Sequence, residues 1–220
     1  MDSAQHWNQL YENPRFRPSF PNDHVVRFLM AGRRVLEERK RVRFLDIGAG
    51  AGRHLKLASE LGFEPYGIDF SLTGLQHACL RLDQTGIRHR LAQASMLSLP
   101  FADSSFDVVL SFGVFYYGTA AEMKQAIGEA HRVLTRGGNL FVVLRTTQDY
   151  RFGKGEKLEP NTFRLTIADT NEARTVQHFL AADDVPIYFA AFSQIRFEKT
   201  ETTFAGRTRL DSDWVITAEK

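Results

Sequence analysis

The chain has 220 residues, with 28 Lys plus Arg against 26 Asp plus Glu for a formal net charge of +2, and 43% of its residues are hydrophobic. That composition supports one buried core, and the charge is too mild to indicate nucleic acid or a membrane surface as a partner. The one cysteine, Cys79, excludes an internal disulfide and fits a cytoplasmic location, no apolar run reaches the length of a membrane span, and the first residues lack a secretory signal's apolar region.

Residues 1–21 precede the regular pattern and carry Trp7 and Tyr11 in WNQLYENPRFRPSF. The stretch 22–40 predicts a helix with Asn22 or Asp23 as N-cap, and the basic run Arg39–Arg43 reads as its solvated end rather than an RNA-binding patch. VRFLDI then reads as a buried strand, RHLKLASEL as a helix closed by Gly62, PYGIDF as a second strand, and SLTGLQHACLRLDQTG as a helix capped by Ser71. RHRLAQAS is a weaker third strand, and a fourth lies around 107–112. EMKQAIGEAHRVLT predicts a long helix ending at Gly137-Gly138, followed by a fifth strand, NLFVVLR. Strands alternating with helices at this spacing imply βαβ units and a parallel sheet covered on both faces.

After Arg145 the pattern lapses. Residues 146–178 are polar with interspersed aromatics, and predict an insertion of little regular structure that serves as a lid. AADDVPIYFAAF predicts a helix, and QIRFEKTETTF and DSDWVITAEK an antiparallel pair that closes the chain. With no internal repeat, 1–220 reads as one domain, in which 1–21 is a cover segment and 146–178 the lid.

The chemistry concentrates in FLDIGAGAGRH, residues 44–54, where Gly48, Gly50 and Gly52 follow a strand that ends near Asp46. Three glycines at a strand–helix junction suggest a ligand lying against bare backbone at the carboxyl end of the sheet. The P-loop pattern is absent, and FGKGEK at 152–157 has neither its spacing nor its strand. The dinucleotide pattern would want a third glycine at 53, where the chain has Arg53, so a nicotinamide-dependent oxidoreductase is disfavoured.

The pattern present, acid-x-Gly-x-Gly-x-Gly followed by Asp69 in YGIDFS, resembles the class I S-adenosylmethionine-dependent methyltransferases. QASMLSLPFADSSFDVV and EAHRVLTRGGNLFVV extend the resemblance in the right order over about 40–145. It implies an α/β fold, a three-layer Rossmann-like sandwich with a mostly parallel seven-stranded sheet and an antiparallel C-terminal strand. It also implies S-adenosyl-L-methionine as methyl donor and S-adenosyl-L-homocysteine as product. By resemblance the donor is held by Asp46, Gly48, Ala49, Gly50, Gly52 and Arg53 of the first motif and by Asp69 and Phe70 of the second. Asp69 takes the ribose hydroxyls, Arg53 either a carboxylate of the donor or a buried acid. Ser95 stands where the third motif commonly has an acid for the adenine amino group, with Met96 against the ring, and Phe112 and Gly113 flank the reacting methyl.

The methyl acceptor is read as a small molecule, with RNA, protein or a non-catalytic binding role as alternatives. The candidate acceptor residues are Tyr11, Tyr116, Tyr117, Arg145 and Tyr150. No general base stands out: His131 reads as structural, His24 and His178 stay open, and no metal-ligand pattern is present. Phe115, Phe179 and Trp214 read as core.

Overall fold

A computed structural model describes residues 3–38, 41–167 and 172–220; Arg39 and Lys40 of the basic run and 168–171 of the insertion lie outside the described residues. The central sheet alternates with helices as the periodicity predicts. Strand β1 (Arg43–Ile47) leads to α3 (Arg53–Glu60), β2 (Glu64–Asp69) to α4 (Leu72–Asp83), and β3 (Arg90–Gln93) on to β4 (Phe106–Phe112). Then α5 (Ala120–Val133) leads into β5 (Leu134–Arg145), ahead of the C-terminal hairpin β9 (Ser193–Phe204) and β10 (Arg209–Glu219). Before β1 stand α1 (Ser3–Glu12) and α2 (Asp23–Glu38).

The strand order is β3-β2-β1-β4-β5-β10-β9, with β1 to β5 parallel and β10 antiparallel to both its neighbours. Two-residue alternation along the strands sends neighbours to opposite faces. Phe44, Leu110, Phe141 and Val143 pack beneath Val25 and Leu29 of α2, Leu55 of α3 and Leu82 of α4. Leu45, Val109, Val142 and Ile216 pack beneath Met123 and Ile127 of α5 and against Phe189 and Phe192. Helices on both faces of this sheet give the three-layer Rossmann-like sandwich. Local signals set the helix ends: Ser71 Oγ accepts from the Gly74 amide at 3.0 Å, and Thr119 and Glu122 form a reciprocal capping box on α5.

Three expectations are corrected. The insertion is not irregular: β6 (Gly155–Glu159), β7 (Thr162–Leu165) and β8 (Val176–His178) form a second, antiparallel sheet over a small core of Phe152, Phe163, Leu165 and Phe179. AADDVPIYFAAF holds only a 3-10 turn, Ala182–Asp184, and the four-residue α6 (Val185–Tyr188). Gly137-Gly138 does not divide α5 from the fifth strand but lies inside β5, where a Cβ on Gly138 would stand 2.9 Å from the Thr135 carbonyl oxygen and 3.0 Å from that of Asp107.

Candidate active site

The carboxyl ends of β1, β2, β4 and β5 meet along one edge of the sheet. After β1 the chain turns sharply, with φ of +79° at Gly48, +51° at Gly50 and +77° at Gly52, a region that side chains disfavour. The Gly48 and Ala49 amides both donate to the Ile68 carbonyl oxygen of β2, at 2.8 and 2.9 Å. Asp69, at the tip of β2, accepts from the Gly50 amide through Oδ2 and from the Ser71 amide through Oδ1, each at 2.7 Å. Each carboxylate oxygen keeps a further lone pair for a ligand hydroxyl. The absent side chains also make room for protein: a Cβ on Gly48 would strike Val114, one on Gly50 the Tyr11 hydroxyl, and one on Gly52 would stand 2.9 Å from Ala78 Cβ.

Beneath this loop lies Asp46, 1% exposed, whose Oδ2 has no hydrogen-bond partner. Burial pushes its pKa up to about 7, against the pull of Arg53 and with help from Asp69. His54 Nδ1 is 3.8 Å from that orphaned oxygen, while His54 Nε2 accepts from the Asn22 amide at 3.3 Å. The Arg53 guanidinium lies 5.3 Å from the centre of the Phe112 ring. An orphaned buried carboxylate under an open-backbone loop fits a ligand that brings an ammonium group to that end.

Helix α1 covers the loop. Trp7 and Tyr11, four residues apart, share one helix face. Tyr11 lies between Gly50 and Gly74, with its ring carbons 3.0 Å from where a Gly74 Cβ would be. Asn8 Oδ1 accepts from Ser71 Oγ at 2.7 Å and from the Thr73 amide at 3.2 Å, which ties α1 to the start of α4. Trp7 stands edge-on to Tyr117, with ring centres 5.0 Å apart. On the far side of Asp69, Phe70 is 43% exposed, Met96 is half-buried against the core, and Ser95 Oγ accepts from the Leu97 amide at 3.1 Å.

Next to the tip of β4 a cavity of about 190 Å³ opens. Phe112, Gly113 and Val143 line one side of it, and Tyr116, Arg145, Arg151, Asp211 and Asp213 supply its polar groups. Arg145 donates to Glu172 Oε2 at 3.0 Å and also to Gln177, and its guanidinium lies 4.5 Å from the centre of the Tyr116 ring. Arg151 is held by Asp149 at 2.9 Å, Asp211 at 2.8 Å and Glu172 at 2.7 Å. Tyr117 does not line the cavity; its hydroxyl donates to Glu172 at 2.8 Å.

Of the acceptor candidates, Arg145 and Tyr116 line this cavity, Tyr11 sits on the glycine loop instead, and Tyr150 does not line it but stands edge-on to Phe204, with ring centres 5.5 Å apart. Phe115 and Phe179 are fully buried, while Trp214 is half-buried and donates to the Leu180 carbonyl oxygen at 2.8 Å. Glu172, Asp211 and Asp213 went unrecognised in the sequence. The acids of DSDWV, at the start of an alternating strand whose antiparallel course returns it to the ligand edge, were the available signal. His178 is bound between Thr162 Oγ1 at 2.7 Å and the Tyr188 hydroxyl at 2.8 Å, and His131 packs edge-on against Phe192. No described helix is long and apolar enough to cross a membrane.

Comparison with known proteins agrees with this geometry. A methyltransferase domain family matches residues 45–142. A demethylmenaquinone methyltransferase of Thermus thermophilus is 36% identical over 104 residues, covering 46% of this chain and 46% of that protein. The Homo sapiens protein named "Probable tRNA methyltransferase 9B" is 32% identical over 143 residues, covering 63% of this chain and 28% of its own length. The chain thus spans less than half the length of these curated relatives. Among solved structures, a methyltransferase from Methanosarcina mazei superposes with a TM-score of 0.68 at 23% identity, covering 84% of this chain and 96% of that one. A protein of echinomycin biosynthesis superposes with 0.69 at 19% identity, covering 99% and 92%. Residues 45–142 match a methyltransferase domain, and the strand order and glycine loop are those of the class I methyltransferase fold, a family whose cofactor is S-adenosyl-L-methionine.

Proposed function

We propose that this chain transfers a methyl group from S-adenosylmethionine to a small polar acceptor. The observation that carries the reading is the cavity of about 190 Å³ beside Phe112 and Gly113, whose chain neighbour Val114 packs against Gly48 of the glycine loop. When bound, the donor supplies an electrophilic methyl on a sulfonium. The residues suited to hold it are Gly48 to Arg53, Asp69 for the ribose, Asp46 for the ammonium end, and Phe70, Ser95 and Met96 for the adenine. Tyr11 and Trp7 of α1 cover the methionine end and exclude water. The task of the fold is then to hold acceptor and methyl in line.

The relatives' names span a quinone and a tRNA acceptor. A wall carrying Arg145, Arg151, Asp211 and Asp213 suits neither an uncharged quinone nor a bulky polynucleotide, and favours a small charged or hydrogen-bonding molecule. The test is release of S-adenosylhomocysteine with a panel of small amines, alcohols and acids, run beside bulk tRNA. Turnover on tRNA alone would overturn the small-molecule reading, and no binding of S-adenosylmethionine would overturn the enzyme reading.

A further inference from the structure

The charged groups around the acceptor cavity do not balance. Arg145 and Arg151 face Glu172, Asp149, Asp211 and Asp213. Both guanidiniums are committed within the protein, Arg145 to Glu172 and Gln177, Arg151 to Asp149, Glu172 and Asp211. They are therefore not an open clamp for an anionic acceptor, which would have to displace a buried carboxylate. Asp213 is the exception. It lies across from Arg145 in the β5–β10 pairing and lines the cavity, yet accepts no hydrogen bond from the described residues. A half-buried carboxylate without a donor, in a cluster with surplus negative charge, calls for a ligand that donates N–H and carries positive charge.

We propose that Asp213 is a catalytic residue of this site and that the acceptor is a small amine, an inference that rests on the methyltransferase reading above. The ammonium form docks as counter-ion to Asp213. One N–H proton passes to the carboxylate, which frees the nitrogen lone pair. That pair forms the N–C bond to the methyl as the C–S bond breaks and its electrons stay on sulfur. The methylated ammonium leaves, and Asp213 returns its proton to solvent, so one proton is released per methyl transferred. A volume of about 190 Å³, roughly six waters' share of liquid volume, suits the amine end of a small molecule.

The surroundings of Asp213 suit the role. Burial raises its pKa to about 6, opposed by Arg145 and Arg151 and reinforced by Asp149 and Asp211. Tyr116 faces it from beyond β4, and on β9 its partner is Thr200, flanked by Lys199 and Glu201, which pair with each other at 2.8 Å. A carboxylate titrating near neutrality holds a proton transiently better than an ordinary aspartate does.

The test uses the full chain loaded with S-adenosylhomocysteine and carboxyl-13C aspartate. Wild type is compared with Asp213→Asn, which assigns the resonance. The probes are ethylamine, ethanolamine and tyramine, with ethanol, propionate and phenylacetate as matched controls. The expected result is a resonance that titrates near pH 6 and shifts with an amine but not with the acids. Asp213→Asn should weaken amine binding by about tenfold or more while leaving S-adenosylhomocysteine affinity unchanged. An Asp213 that titrates like an exposed aspartate, responds to propionate, or responds to none of the amines overturns the inference. Failure to bind S-adenosylhomocysteine would overturn the underlying methyltransferase reading instead, so the two failures are distinguishable.

Discussion

Asp46 Oδ2 and His54 Nδ1 lie 3.8 Å apart, both buried under the glycine loop, too far for a hydrogen bond and close enough to share one proton's electrostatics. Burial shifts the two in opposite senses, Asp46 up to about 7 and His54 down to about 3. In the unfolded chain between about pH 4 and 6.5 the histidine holds a proton and the aspartate does not. In the folded chain over that window the aspartate holds it and the histidine does not. The proton count hardly changes on folding, so the pair adds little slope to stability there.

Single variants should unmask the two slopes. Asp46→Asn leaves only His54, whose lowered pKa makes the folded state lose stability as pH falls from about 6.5 towards 3. His54→Gln leaves only Asp46, whose raised pKa makes the folded state lose stability as pH rises from about 4 to 7, by on the order of 4 kcal/mol. Urea unfolding from pH 4 to 7.5 checks this, and slopes of the same sign in both variants would refute it.

Donor binding should be linked to the same proton. If Asp46 faces the ammonium end, its carboxyl must ionise when the ligand arrives, so binding at pH 6 releases a proton and affinity rises with pH through about 7. Calorimetry of S-adenosylhomocysteine in buffers of differing ionisation enthalpy measures that release. Asp46→Asn should abolish it, and identical release in the variant would remove Asp46 from this role.

Asp69 carries a structural duty as well as the proposed ribose contact. Asp69→Ala strands the buried amides of Gly50 and Ser71, each costing about 1–3 kcal/mol. The variant should therefore lose stability and bind S-adenosylhomocysteine about 10- to 150-fold more weakly. Denaturation with and without the ligand separates the two effects, and unchanged affinity would refute the ribose contact.

The core was legible because its signals are local: apolar alternation from Phe44 to Ile47, the Ser71 cap, and glycines whose positive φ few residues tolerate. The second sheet was not, because β6 is polar and largely exposed and holds its place through Phe152, Phe163 and Phe179, which meet only in three dimensions. The same holds for the acceptor cavity. Its wall joins Arg145 at the end of β5 to Asp213, a cross-strand partner distant in the chain. Helix α1 draws its place from Asn8 and Tyr11 seated on residues of α4 and the glycine loop, contacts that no helical periodicity announces.

We propose that α1 and the second sheet act as covers, linked by Trp7 against Tyr117, which in turn forms a β-bridge with Gln177 of β8. Amide exchange in Ser3–Glu12 should slow when S-adenosylhomocysteine binds, since the ligand adds contacts beneath Tyr11. Equal, high protection with and without the ligand would make α1 a fixed part of the fold.

Glu172 holds Arg145, Arg151 and Tyr117 together, and burial, which would raise its pKa, is outweighed by the two guanidiniums. The cluster is lopsided, so its two ends should respond differently to mutation. Arg145→Met leaves Glu172 its contacts with Arg151 and Tyr117, and only the Arg145 partnership is lost. Glu172→Leu instead leaves Arg151 its pairs with Asp149 and Asp211 but strips buried Arg145 of its paired carboxylate, the situation in which breaking a buried pair costs about 3–5 kcal/mol. Glu172→Leu should thus destabilise the fold more than Arg145→Met, and the double variant should recover part of the loss because one stranded charge has gone. Urea unfolding of the three variants at one pH decides it. A double variant less stable than Glu172→Leu would mean that the contact of the Arg145 guanidinium with the Tyr116 ring, rather than its pairing with Glu172, holds this corner of the cavity.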